Sequence, residues 1–283
     1  MTERKKIAII GLGLIGGSLA IRLHEKKLSS LLIGVDNNAD HAAQAMEMEL
    51  VDQVMELDQA IENSDIIILA ISVDQIISRL PYILDRIGDQ IVLDLGSTKS
   101  SMLLAVNDHP KRGRYVATHP MWGREYSGPA AAVRDGFENR AVVICDADRS
   151  DDDALHWVRQ MYQKIGMHII EMEGKAHDLH AAYISHVSHI TSFALANTVL
   201  EKEKEEQAIF EMASGGFEST VRLAKSHPAM WVPIFLQNRE HLLEVLKEHI
   251  HQLQRFERSL EQNNEPELRK LITEANRIRR IIK

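Results

Sequence analysis

The sequence predicts an α/β domain built on a mostly parallel sheet, followed by an all-helical domain. Three observations carry this. Short apolar runs alternate with helical patterns over roughly the first 170 residues. No convincing strand follows Ala176. The composition shifts at Gly174, with no Pro-rich linker, internal repeat or low-complexity tract.

Taken in order, runs at 6–10, 31–35, 65–71, 90–95, 114–118, 141–145 and 167–171 read as strands. Several are continuously apolar, the pattern of strands covered on both faces. Helical stretches at 14–26, 39–49 and 74–86 lie between them. Beyond the boundary, 176–202, 204–212, 217–225, 229–260 and 264–282 read as helices, so the expected division is 1–173 and 174–283. The charge run "EKEKEEQ" at 201–207 reads as a solvated helix end.

A chain of 283 residues with 45% hydrophobic and 26% charged residues has material for two packed domains. Its formal net charge of −8 argues against broad nucleic-acid binding and requires a locally basic pocket for any anionic substrate. Cys145 stands alone, which excludes a disulfide framework and a cysteine-based metal site and points to a reducing cytoplasm. The apolar run at 7–23 is interrupted by four glycines, so it is not read as a secretory leader. No stretch approaches the roughly 18–20 apolar residues of a membrane span.

"AIIGLGLIGGSLA" carries Gly11, Gly13 and Gly16 in G-x-G-x-x-G spacing, directly after a strand and opening a helix. The first glycine makes the tight turn, the second admits a pyrophosphate, and the third lets helix and strand pack closely. The helix N-terminus then offers N–H groups to phosphates. Asp36 ends the second strand, twenty residues past Gly16, where a carboxylate binds the ribose 2′-hydroxyl. "DNNAD" supplies no arginine for a 2′-phosphate, so NAD is preferred over NADP. Together these features make a Rossmann-type dinucleotide-binding domain. The expected cofactor contacts are Gly11, Gly13, Leu14, Ile15, Gly16, Asp36 and Ser72, the last from "ILAISVDQ" at the end of the third strand.

"DLGSTKSS" (94–101) follows the fourth long strand and begins a helix at about Thr98. Ser97 either caps that helix, with Lys99 solvated, or faces the cofactor from the strand's carboxyl end. "THPMWGRE" (118–125) places His119 after the next apolar run, on the same edge, and Pro120 restricts its backbone to extended forms. "HDLHAAYISHVSHITSFALA" (177–196) sets His186 and His189 on one helix face, without the intervening glutamate of a zinc helix, so no metal is expected. In "ASGGFESTVRLAKSHPAMW" (213–231), Gly215 and Gly216 precede a helix bearing Arg222 and Lys225. Arg222 is either a surface charge or a bidentate carboxylate clamp.

Together, "GLGLIGGSLA", "DLGSTKS", "HPMWGREYSG", "SHVSHITSFALA" and "GGFESTVRLAKSHPAMW" resemble the prephenate/arogenate dehydrogenase family of tyrosine biosynthesis, in family order and across nearly the whole chain. The resemblance implies oxidative decarboxylation of prephenate to 4-hydroxyphenylpyruvate. Hydride passes from C4 to NAD, and the ring carboxylate leaves as carbon dioxide. It implies that His119 accepts the hydrogen bond and then the proton of the C4 hydroxyl, and that Ser97 supports that hydroxyl and orients His119. Arg222 holds a substrate carboxylate, His189 is a second substrate contact, and Glu125 lines the mouth of the site. Arg222, Lys225, Lys99 and Arg124 are expected near one cleft between the domains, where they offset the acidic net charge. A homodimer through the helical domain is also implied. Trp122 stands where the family often has a small residue, which bears on pocket shape. With neither a regulatory ACT domain nor a chorismate mutase in the chain, feedback through an ACT domain is not expected. The alternatives are arogenate as substrate, a β-hydroxyacid dehydrogenase relying on a lysine base, or a non-catalytic NAD(H) sensor.

Overall fold

The computed structural model describes residues 4–204, 206 and 215–281. Its strands are β1 (Lys5–Ile10), β2 (Ser29–Val35), β3 (Gln53–Val54), β4 (Ile66–Leu69), β5 (Ile91–Asp94), β6 (Tyr115–Pro120), β7 (Ala141–Cys145) and β8 (His168–Met172). Among the described residues they form one eight-stranded sheet in the order β3-β2-β1-β4-β5-β6-β7-β8. Pairing is parallel throughout except between β6 and β7, where the chain reverses direction. The carboxyl ends of β1, β4, β5 and β6 therefore lie on one edge, the place where open α/β sheets bind ligands.

Side-chain alternation along each strand feeds a core on each face. Ile7, Ile9, Ile66, Ile68, Leu93 and Val116 pack on the face covered by α1 (Leu14–Glu25) and α6 (Asp152–Lys164). Ile10, Ile67, Leu69, Val92, Tyr115 and Ala117 pack on the other, under α4 (Val73–Arg86) and α5 (Ser100–Ala105). Each such aliphatic side chain contributes about 1.5–3 kcal/mol by leaving water, which is why these strands read as unbroken apolar runs. The short helices α2 (Ala39–Glu47) and α3 (Leu57–Glu62) complete the half.

The helical half runs α7 (Gly174–Ala181), a π-helical turn at Ala182–His186, α8 (Val187–Glu203), α9 (Gly215–Val221), α10 (Pro228–Gln237), α11 (Arg239–Glu261) and α12 (Glu265–Ala275). The helix expected over 229–260 is two helices, broken at Asn238 (φ −105°, ψ 28°). The side-chain amide of Asn238 donates to the Asp178 carbonyl at 2.6 Å and meets His186 Nδ1 at 3.1 Å, so α7 and the π turn hold the elbow. The helix expected over 204–212 lies almost wholly outside the described residues. Gly215 and Gly216 open α9 rather than precede it, and Arg222 and Lys225 sit in the 3-10 turn that follows. Trp231 and Ile234 of α10 join the core under α4, so the helical half closes over the sheet face that Ala117 shares.

Candidate active site

Each glycine of the turn does a separable job. Gly11 has φ +98°, and a Cβ there would lie 2.4 Å from the Ala70 carbonyl oxygen. A Cβ on Gly16 would lie 2.0 Å from the Gly11 carbonyl oxygen, so α1 can approach the turn only without one. A Cβ on Gly13 would meet nothing nearer than the Gly128 nitrogen at 4.0 Å, which leaves that side open. The first turn of α1 carries no side-chain cap and no acidic residue. Its N–H groups and positive dipole end are thus available to an anion. Asp36 accepts the Leu12 N–H at 2.9 Å and the Asn38 N–H at 2.9 Å, so the turn itself fixes this carboxylate. Ser72 stands at the N-cap of α4 without using its side chain to cap, next to Ile71, which borders Gly11. Leu14 is buried and Ile15 packs on the core, so these two offer a ligand their backbone N–H groups. This set fits a dinucleotide: an open glycine for the pyrophosphate, an uncapped helix start, and a fixed carboxylate for the ribose.

The loop after β5 departs from expectation. α5 begins at Ser100 with Lys99 as its N-cap, so Ser97 lies upstream of the cap position. The N–H groups of Lys99 and Ser100 are taken instead by the Asp178 carboxylate of α7, each at 2.8 Å. Lys99 is not solvated: it is fully buried and its ammonium pairs with Asp94. Asp94 also accepts Tyr115 Oη–H at 2.7 Å, Gly96 N–H at 2.8 Å and Thr118 N–H at 3.2 Å. An isolated buried ammonium would be very costly, so this carboxylate and Lys99 require each other. Lys99 is therefore committed to the loop rather than to a substrate anion. Lys225 is 3.9 Å from Glu218 on α9, which leaves Arg222 and Arg124 as the cations acting on Glu125.

His119 lies within β6 rather than after it, paired with Val143 across the antiparallel ladder. Thr118 bonds Tyr162 on one face, so His119 points to the other, where the helical half packs. There His119 Nδ1 lies 2.8 Å from His177 Nε2, the rings edge to face, and His177 Nδ1 lies 2.9 Å from Asp178 Oδ1. Burial pushes the His119 imidazole well below its ordinary value, and His177, Lys99 and His186 push it the same way. Burial raises Asp178, but the hydrogen bonds from His177 and the Ser100 backbone outweigh it and hold the carboxyl low. Trp122 turns away from this face. Its indole packs on Phe137 and over Gly136, against the core under α1 and α6.

His189 is buried, with Nδ1 3.1 Å from the Ser185 carbonyl oxygen and its ring stacked 3.4 Å from Trp231. That carbonyl only accepts, so Nδ1 carries the proton and Nε2 is an acceptor. Burial, and then nearby Arg222, keep His189 below its ordinary value. His186 flanks the same indole edge-on, and its pKa is lowered to about 4 by burial. Arg222 donates to Glu125 Oε2 at 3.0 Å, joining the loop after β6 to the helical half. A bond from the backbone at Glu125, and then Arg222, hold that carboxyl below its usual range. His177, Asp178 and Trp231 escape a sequence reading. "HDLH" is the only visible trace of the first two, and no spacing rule pairs a helix residue with a strand residue 58 positions earlier.

Residues 19–171 match the family model described as prephenate dehydrogenase, nucleotide-binding domain, and residues 173–274 match that of the prephenate dehydrogenase dimerization domain. The chain is 29% identical to the prephenate dehydrogenase of Bacillus subtilis over 263 residues, 91% of this chain and 71% of that protein. It is 29% identical to the cyclohexadienyl dehydrogenase of Zymomonas mobilis over 262 residues, 90% of this chain and 88% of that protein. Its fold superposes with a TM-score of 0.88 on a crystal structure of prephenate dehydrogenase from Aquifex aeolicus in complex with hydroxyphenyl propionate and NAD+. That structure is 25% identical and covers 100% of this chain and 99% of its own.

Proposed function

This chain belongs to the prephenate dehydrogenase family, and we propose that within it His119 is the base of an NAD-dependent oxidative decarboxylation of prephenate. The observation that carries this reading is the placement of His119. It stands at the carboxyl end of β6, on the sheet edge of the glycine turn, as an imidazole held neutral by burial.

Bound NAD supplies the hydride acceptor, held by Gly11, Gly13, Gly16, the N–H groups of Leu14 and Ile15, Asp36 and Ser72. His119 Nε2 accepts the hydrogen bond of the C4 hydroxyl and takes its proton as the C4–H bond breaks. The C4–O bond becomes a carbonyl, the ring carboxylate departs as carbon dioxide, and the electron pair it leaves makes the ring aromatic. The product is a phenol after the proton returns to oxygen. Ser97, on the loop anchored by Asp94 and Asp178, supports the same hydroxyl. Arg222 has a planar fork with donors beyond the one given to Glu125, and it receives a substrate carboxylate. His189 offers Nε2 to the substrate's far end, and Glu125 lines the entrance.

In this reading residues 1–173 hold the cofactor and 174–283 hold substrate and a second copy of the chain. Exposed Val232, Leu236, Leu243, Leu253 and Leu260 on α10 and α11 support a homodimer through the region matched by the dimerization-domain model. The reaction is placed in the cytoplasm, where the lone thiol of Cys145 stays reduced. The test is NADH formation by purified protein with NAD and either prephenate or arogenate. Turnover of prephenate is the expected result. Turnover of arogenate alone would move the substrate, and turnover of neither would overturn the reaction.

A further inference from the structure

One carboxylate touches both parts of the reactive centre. Asp178 Oδ1 meets His177 Nδ1 at 2.9 Å and takes the Lys99 N–H at 2.8 Å, while Oδ2 takes the Ser100 N–H at 2.8 Å. His177 Nε2 meets His119 Nδ1 at 2.8 Å. Asp178 and His177 are almost fully buried, so their bonding must be satisfied within the protein. The local candidates for capping α5 do not do so. Ser97 lies upstream of the cap, and the buried hydroxyl of Thr98 has no hydrogen-bond partner among the described residues. The cap comes instead from α7, the helix that also orients the base.

Counting donors and acceptors along this line gives one solution with both rings neutral. An ionised carboxylate only accepts, so His177 carries its proton on Nδ1. His177 Nε2 is then an acceptor, and His119 must donate from Nδ1. Nε2 of His119 is left unprotonated, the form a base requires. The titratable groups around His119 are Lys99 with its partner Asp94 from the β5 loop, His177 and Asp178 from α7, and His186 from the π turn.

We propose that Asp178 is the positioning residue of this site: through His177 it fixes His119 with Nε2 free, and through the Lys99 and Ser100 N–H groups it sets the Ser97 loop against the same line. This rests on His119 acting as the base. It makes the helical half part of the base's machinery, so the base is correctly set only while α7 is docked on β6 and α5.

Asp178→Asn keeps the size of the side chain but turns N–H groups toward partners that need an acceptor. With an amide donor at Nδ1, His177 must donate from Nε2, and His119 is driven to the tautomer with its proton on Nε2. The expected result is a fall in kcat of about 100-fold or more, the order seen when a base is held in the wrong tautomer. The prephenate KM should move less than about threefold and NAD affinity should stay unchanged, because no substrate or cofactor contact is removed. Asp178→Glu, which restores an acceptor, should recover part of the loss. Long-range proton–nitrogen NMR of the wild-type protein labelled at histidine reads the tautomers without any variant. Both His119 and His177 should carry their proton on Nδ1. A proton on Nε2 of His119 at neutral pH would overturn the proposal. So would an Asp178→Asn enzyme with kcat unchanged. If the wild type oxidises neither prephenate nor arogenate, the proposed reaction falls, while the tautomers still decide the geometry separately.

Discussion

The two halves of the site are built differently. The proposed cofactor half is mostly backbone: three glycines within six positions, a helix start and one carboxylate from the consecutive elements β1, α1 and β2, joined by Ser72 at the start of α4. The substrate half is side chains brought together from β5, β6, α7, α8 and the turn after α9, and its central contacts span 58 to 97 positions. Backbone chemistry leaves a local mark, because only glycine fits the φ of +98° with a 2.4 Å approach at Gly11 or the 2.0 Å approach at Gly16. Side-chain chemistry leaves a mark only where a whole motif carries it, and its partners leave none until the halves dock, since histidine, aspartate and arginine are ordinary surface residues anywhere else.

Substitutions can break or sharpen this contrast. The largest effect is expected at Gly16, where valine would drive α1 off the turn. NAD binding should be lost altogether, with a clear fall in melting temperature, both read by calorimetry. Arg222→Ala removes a charge-assisted donor worth about 1.5–3 kcal/mol, so the prephenate KM should rise about 10- to 100-fold with kcat largely retained. Steady-state kinetics checks the split; an equal loss in kcat would place Arg222 in the transition state instead.

Acid acts next, and on the helical half. His186 is buried neutral with a pKa of about 4 in the fold against 6.5 when unfolded. The unfolded chain therefore binds the extra proton first, and stability falls as pH drops from 6.5 toward 4, by about 3 kcal/mol across that window. Urea titrations at several pH values measure it, and His186→Gln should flatten the slope. The smallest expected change is at Gly13, where a methyl group meets open space. Gly13→Ala should leave the melting temperature within about a degree, since surface changes cost under about 0.5 kcal/mol. It should still weaken NAD measurably, because the methyl group occupies the pyrophosphate's approach.

The same contrast explains what was legible in the sequence. Seven strands stand close to where the apolar runs place them; in β4 and β5 the cause is burial on both faces, which demands continuous apolar sequence. β3, two residues long, is too short to show a period. The elbow at Asn238 was hidden because its cause is a hydrogen bond to α7, not a local breaker. Ser97 resembled a cap because serine before a helix usually is one, yet Asp178 fills that role from a distant helix. Lys99 resembled a solvated charge for want of any local sign that Asp94 waits beneath it. His119, Arg222 and Glu125 were singled out by their motifs. Their partner His177 and the line to Asp178 belong to the docked structure.

The most direct test of His119 as the base is NADH formation from prephenate by His119→Asn beside the wild type, with NAD affinity measured on both. The predicted result is a loss of about 100- to 10,000-fold in kcat, the usual contribution of a positioned base, with NAD affinity unchanged. Turnover within about tenfold of the wild type would contradict the assignment and place the base elsewhere.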